Sequence, residues 1–454
     1  MNVGVWGEGP LSDAVRGALP GAGHAVAAGR WEDGTSALVV FPPGDMEQAT
    51  RGTYELLCGA AGAGVRRVVV VSTLAFFARC PRNWKLTPAW RPRPGTDLSE
   101  LCPWLTELSA REITRATALH TRCLRLGGDV PADAALAAVL AALDAPLREE
   151  RPHDWTVEHV GEPAGRPAAD DRPWQEVLAP QDPVPSRTVR RVAIFGAGGP
   201  LGAALAQELA PRYRLRMTDA RAIEDIFREG KPQKEGAPLP LPAERLEGCP
   251  HGPHESRVVD VRDAAQVRDA CTDVDAIVNC SVVRRDPADA FRVNTLGAYH
   301  LARAAVAHRI RRVLQTGPEL LSLLGVGDYS WDYEVAGDPP TRPGCHLYAH
   351  SKFLGQETLR VFAEWHGLDV PNLLFSKFGH QEIGNGFYPM MVSWRDAARA
   401  LRLALEVPSL PSPYEEFHVT APLPHGRFRS DKLERLLGWQ ARDGLERFWQ
   451  NDTP

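Results

Sequence analysis

The chain has 454 residues, 44% of them hydrophobic and 24% charged, with a formal net charge of -5. That length exceeds one ordinary domain and predicts two or three, each able to bury a core without disulfide or metal staples. The mild acidity argues against nucleic acid or an anionic membrane as partner, and the longest apolar run, Val68 to Ala78, is too short to cross a bilayer.

The opening MNVGVWGEGP has neither the basic nor the apolar region of a signal peptide. Eight cysteines are present and none forms a C-x-x-C pair, so the expectation is a cytoplasmic protein with reduced thiols. Short apolar strands then alternate with helical patterns, the sign of a parallel sheet with crossover helices. Residues 165–188, GRPAADDRPWQEVLAPQDPVPSRT, are rich in Pro and Asp and lack periodic apolar positions, which predicts a linker between a first domain, 1–164, and a second, 189–454.

The two flanks read as copies. VWGEGPLS at Val5–Ser12 matches IFGAGGPLG at Ile194–Gly202, and GTYELL at Gly52–Leu57 matches GAYHLA at Gly297–Ala302. GVRRVVVV at Gly64–Val71 matches RIRRVLQT at Arg309–Thr316, and PADAALAAVLAAL at Pro131–Leu143 matches WRDAARALRLAL at Trp394–Leu405. Four matches in one order predict a tandem duplication.

After the linker, Arg190–Phe195 reads as a buried strand, followed by Gly196-Ala197-Gly198-Gly199-Pro200-Leu201-Gly202 and a helical ALAQELA. A G-x-x-G-x-x-G turn between strand and helix allows a tight turn, close approach of backbone to a pyrophosphate, and close packing of helix on strand. The phosphates would sit at the helix N-terminus, where free N–H groups favour anions. The next strand ends at Asp219, placed to accept hydrogen bonds from the adenosine ribose; its charge favours NAD over NADP, with Arg221 nearby as the opposing feature. Cys249-Pro250-His251-Gly252-Pro253-His254-Glu255 holds metal-type ligands, but no second ligand pair follows at zinc-like spacing, so no metal is expected. Farther on, Tyr348-Ala349-His350-Ser351-Lys352 puts a phenol and an ammonium four positions apart, on one helical face. A nearby cation favours the phenolate of a group whose free pKa is about 10, which suits proton exchange with a substrate hydroxyl during hydride transfer.

From about Arg190 onward the chain resembles the extended short-chain dehydrogenase/reductase superfamily, the NAD-dependent epimerase/dehydratase group. Arg257–Asp263 (RVVDVRD) resembles the family's acid-bearing segment near the adenine, which places Asp260 and Val261 there. Asp275–Ser281 (DAIVNCS) resembles the strand ending beside the cofactor, with Cys280 and Ser281 where two alanines are common, and Phe291–Gly297 (FRVNTLG) the asparagine-bearing helix. The resemblance implies a Ser or Thr before the Tyr-Lys helix, but Gly317 stands there, with Thr316 one place earlier and Ser322 as a further candidate. Glu319 roughly matches the second acid of the family's dehydratases, though a plain loop carboxylate is the favoured reading. Lys377–Glu382 lies where the family's chain enters its substrate lobe, and Arg395 either meets a diphosphate there or pairs with Asp396.

The expected fold is therefore α/β: two Rossmann-like doubly wound parallel-sheet domains in tandem, the second with a small C-terminal substrate lobe. The cofactor is NAD, held by Gly196, Gly199, Pro200, Leu201, Gly202, Asp219, Asp260, Val261, Cys280, Ser281, Tyr348 and Lys352, with Tyr348, Lys352 and Thr316 as catalytic residues. The expected function is an oxidoreductase or epimerase/dehydratase acting on a sugar-like or small hydroxyl or carbonyl substrate, a nucleotide sugar among the candidates. The alternative is a noncatalytic NAD-binding sensor or scaffold. Glu8 and Ser12 depart from the glycine pattern, so the first copy is expected not to bind NAD. Its helical stretch from Trp104 to Leu124 sets Pro103 opposite Tyr348 and Glu107 opposite Lys352. That stretch is expected to pack on Ser351–Phe362 as a built-in partner subunit, because the family commonly dimerises through these helices.

Overall fold

Runs of β-branched residues set the strands, and the helices between them present one apolar face. A computed structural model describes all residues except 28–30, 32–33, 231–235, 250, 320–334, 336–340, 381–390, 425–428 and 451–454. Ser322, Gln381 and Glu382 thus lie outside the described residues. The chain divides into two units, one of Met1–Ala179 with Pro343–Leu354, the other of Pro180–Arg342 with Gly355–Pro454. The division falls within the expected linker, and a short segment from the second half of the sequence joins the first unit.

The first unit runs β1 (Asn2–Trp6), α1 (Pro10–Ala18), β2 (Ala25–Val26), β3 (Ala37–Val40), α2 (Thr53–Gly62), β4 (Arg67–Thr73), α3 (Leu98–Ala116), β5 (His120–Leu126), α4 (Ala132–Asp144), β6 (Asp154–Val160) and α5 (Trp174–Val177). Its strands pair in parallel in the order β2-β1-β3-β4-β5-β6. Alternation divides the core: Val3, Val39 and Val69 face Val15 and Val139 of α1 and α4, whereas Leu38, Val40 and Val68 face Leu56 and Ile113 of α2 and α3.

The second unit continues with β7 (Arg191–Phe195), α6 (Pro200–Leu209), β8 (Arg214–Asp219), α7 (Ile223–Glu229), β9 (Glu255–Val258), α8 (Ala264–Ala270), β10 (Ala276–Asn279), α9 (Pro287–Phe291), α10 (Gly297–Ala307) and β11 (Arg312–Pro318). Then come α11 (Leu347–His366), whose first turns belong to the first unit, β12 (Val370–Phe375), β13 (Lys377–Gly379), β14 (Met391–Ser393), α12 (Trp394–Glu406), β15 (Tyr414–His418), α13 (Asp431–Leu437) and α14 (Glu446–Trp449). The main sheet is parallel, in the order β15-β12-β11-β10-β7-β8-β9. Helix α12 starts at the Ser393 cap, whose hydroxyl accepts from Asp396 N at 3.1 Å, and packs on α6.

In both sheets the strand order reverses beside the first strand, at β1/β3 and at β7/β10. Such a switch point opens a crevice at the carboxyl ends of the strands.

Candidate active site

The turn after β7 is built around its glycines. Gly196 has φ +82°, and a Cβ there would lie 2.7 Å from Ser281 N and 2.8 Å from the Cys280 carbonyl carbon. A Cβ on Gly202 would lie 2.3 Å from the Gly196 carbonyl oxygen. Gly199 is the N-cap of α6, Pro200 is its first residue, and Leu201 packs against the core. The backbone therefore passes close to the 280–281 tail and leaves a side-chain-free cradle at a helix N-terminus. Such a cradle fits a dinucleotide pyrophosphate.

Asp219 closes the turn from β8. Its Oδ2 accepts from Gly198 N at 3.0 Å, and burial raises its pKa against hydrogen bonds from the N–H groups of Gly198, Arg221 and Ala220. Arg221 is ion-paired with Glu229, which raises its pKa and engages the cation nearest Asp219 in sequence. Asp260 is held by Arg262 at 2.7 Å, which lowers its pKa. The Val261 carbonyl bonds His300 Nδ1 at 2.9 Å, and its Cγ2 would meet a Cβ on Gly297 at 3.0 Å.

The tail after β10 is fixed by two asparagines. Asn279 Oδ1 accepts from Ser281 N at 3.1 Å; Asn294 accepts from Val283 N at 3.1 Å and donates to Val283 O at 2.7 Å. Asn294 sits in a π-helical turn, Arg292–Leu296, that leads into α10. Such turns are uncommon and cluster at functional sites. Gly355 of α11 passes so close that a Cβ there would lie 2.1 Å from the Asn294 carbonyl oxygen.

At the end of β11, Thr316 and Gly317 face opposite sides of the sheet, because the strand runs unbroken to Pro318. The Thr316 hydroxyl donates to Asn279 O at 2.8 Å. A Cβ on Gly317 would lie 2.0 Å from Gln356 Nε2, so the Gln356 side chain fills the space that a hydroxyl-bearing residue at 317 would need. Gln356 is 1% exposed and neither of its amide atoms has a hydrogen-bond partner. Sequence reasoning missed it. The available signal was the missing hydroxyl at Gly317 together with an amide one helical step beyond Lys352. Glu319 is also fully buried, 3.7 Å from His418 Nδ1, with burial raising its pKa.

All the expected cofactor residues from Gly196 to Ser281, and Thr316, belong to the second unit, whereas Tyr348 and Lys352 lie on the α11 turns that belong to the first. Tyr348 is half-buried and Lys352 is 1% exposed. In that first unit, His350 Nδ1 donates to Gly344 O at 2.7 Å and its Nε2 meets Ser109 Oγ of α3 at 3.1 Å. Full burial pushes the His350 pKa down to about 4, so the imidazole is neutral.

Near the C-terminal end of the second unit, Phe378 stacks on Trp394 at 4.3 Å, beside a cleft of about 510 Å³ bordered by Gln207, Glu208, His380 and Arg395. Arg395 pairs with Asp443, Nε to Oδ2 at 2.7 Å, and not with Asp396, which accepts from Arg399 and from the N–H groups of Arg442 and Asp443. Among the described residues, no helix is long and apolar enough to cross a membrane.

Residues 192–413 match the model of the NAD dependent epimerase/dehydratase family. Among solved structures, the chain is similar to uronate dehydrogenase from Agrobacterium tumefaciens at 22% identity, covering 58% of this chain and 91% of that one, with a TM-score of 0.44. It is also similar to glucuronic acid dehydrogenase from Chromohalobacter salexigens at 20% identity, covering 59% and 91%, TM-score 0.44. A third is UDP-glucose 4-epimerase from Bifidobacterium longum, in complex with NAD+ and UDP, at 14% identity, covering 57% and 95%, TM-score 0.44. A search of curated proteins finds no match.

Proposed function

Because residues 192–413 belong to the NAD dependent epimerase/dehydratase family, we propose that the second unit holds NAD at the Gly196–Gly202 turn and that the chain oxidises or epimerises a sugar-like or small hydroxyl substrate, a nucleotide sugar among the candidates. The observation that carries this reading is the steric one: Gly196 and Gly202 have no room for a Cβ, and the turn they make opens onto the N-terminus of α6. Asp219, beside the turn, suits the adenosine ribose and disfavours a 2′-phosphate. NAD bound there supplies hydride exchange at its nicotinamide. Tyr348 exchanges the proton of the substrate hydroxyl, and the Lys352 ammonium favours its phenolate and meets the nicotinamide ribose.

The first unit serves as a built-in partner subunit. Its parallel strand order and the π-helical turn Gln48–Gly52 leading into α2, like the turn Arg292–Leu296 leading into α10, support this reading. A second reading, a noncatalytic NAD-binding scaffold, is favoured by one observation: Gln356 takes the space at Gly317, and the Thr316 hydroxyl is spent on Asn279. The experiment is to incubate the full chain with NAD and a panel of nucleotide sugars, sugars and small alcohols, following nicotinamide absorbance and product epimers. Turnover supports the first reading; NAD binding without turnover of any of them supports the second.

A further inference from the structure

Helix α2 carries Tyr54 and Cys58 four positions apart, on one face. That face meets the segment just before Tyr348, within the same unit of the structure. The Tyr54 hydroxyl donates to the Cys345 carbonyl oxygen at 2.6 Å, and the Tyr54 ring lies 5.1 Å from that of His350. Cys58 and Cys345 both pack, half-buried, against the core of Leu56, Leu57 and Ile113. The Tyr54 bond thus holds Cys345 beside the helix face that carries Cys58, and joining the two takes a covalent S–S bond of about 2.05 Å.

We propose that Cys58 and Cys345 form a redox-active dithiol, oxidised by a low-molecular-weight disulfide to a cross-link that ties the first domain to the segment carrying Tyr348. The step balances as thiol–disulfide exchange. The Cys345 thiolate attacks one sulfur of the oxidant; the oxidant's S–S bond breaks and one thiolate leaves, taking up a proton. Cys58 gives its proton to water and attacks the Cys345 sulfur; the mixed disulfide breaks and the second thiolate leaves, also protonated. Two electrons pass from the protein dithiol to the oxidant, yielding two free thiols. The partners' roles follow from their surroundings: the neighbouring Cys58 lowers the Cys345 pKa, favouring the attacking thiolate, whereas Cys345 and burial raise the Cys58 pKa.

This inference rests on the first unit's own geometry and is independent of the NAD reading. The test is intact mass and peptide mapping of the full chain after exposure to oxidised glutathione. The expected result is a loss of two hydrogen atoms with no glutathione retained, a peptide joining Cys58 to Cys345, and full reversal by dithiothreitol. Cys58→Ser should instead trap one glutathione on Cys345. Free Cys58 and Cys345 thiols after treatment, or a cross-link joining other cysteines, would overturn the proposal, and the mapping of the unmodified sequence reads this even if a variant fails to fold.

Discussion

The carboxyl ends of β1 and β7 hold the same kind of turn with different neighbours. At β7, Gly196 lies against the backbone of Cys280 and Ser281; at β1, Gly7, with φ +99°, lies against Phe41, whose Cβ would be 2.7 Å from an added one. Ser12, at the position of Gly202, turns its hydroxyl onto Gly7 O at 2.9 Å, and Arg16 donates to the same oxygen at 2.7 Å. The ends of β4 and β11 differ in the same sense. Ser72 donates to Glu107 at 3.0 Å, and Arg125 forms a buried pair with that carboxylate, with Glu107 at the position aligned with Lys352. Backbone pairing and core packing set a parallel strand order with a switch point in both units. In the first unit, side chains that satisfy one another occupy the ends of β1 and β4.

The comparison breaks most visibly in the chemistry. Tyr348→Phe should lower kcat by about 10²–10⁴-fold with NAD affinity nearly unchanged, while Ser72→Ala, at the corresponding site of the first unit, leaves kcat alone; steady-state kinetics with calorimetry would check both. Next in size is the ionic filling of the first crevice. Glu107→Ala strands the buried Arg125 and should destabilise the first unit by about 3–5 kcal/mol in denaturant titrations, whereas a loss under about 1 kcal/mol would mean the pair is incidental.

The contact between α3 and α11 sharpens the comparison through pH. The folded His350 pKa, about 4, lies below its unfolded value, so the unfolded chain takes up the proton first as pH falls. Stability is full above about pH 6.5 and falls by roughly 3 kcal/mol in total on the way down through about 4. His350→Gln should flatten that part of the Tm-versus-pH curve. Smaller again is the exchange at β11: Gly317→Ser should cost about 1–3 kcal/mol by overpacking, and adding Gln356→Ala should restore most of it. An equal cost in the double variant would remove Gln356 as the cause.

Much of this was legible in the sequence where the determinant is local. The Gly196–Gly202 turn, Asp219 and the Tyr348–Lys352 spacing are set by steric and helical rules acting over a few residues, and the parallel sheets follow from the alternation of strands and helices. What sequence could not supply depends on distant partners. Gly317 and Gln356 meet across 39 positions, and Arg125 fills a site defined by Ser72 and Glu107. Residues 343–354 join the first unit through contacts to Ser109 and Tyr54, hundreds of positions away. Thr316 is intermediate: strand alternation turned it away from the Gly317 face, but only the structure identifies Asn279 O as its acceptor.

On the function proposed, only the Gly196–Gly202 turn of the two similar turns accepts NAD. Calorimetric titration of the full chain with NAD tests it most directly, comparing the unmodified sequence with Gly202→Val, which drives side-chain atoms into the Gly196 carbonyl, and with Glu8→Ala in the exposed first turn. One NAD per chain in the unmodified protein and in Glu8→Ala, with none in a folded Gly202→Val, is the predicted result; two per chain, or binding that survives Gly202→Val, would contradict it.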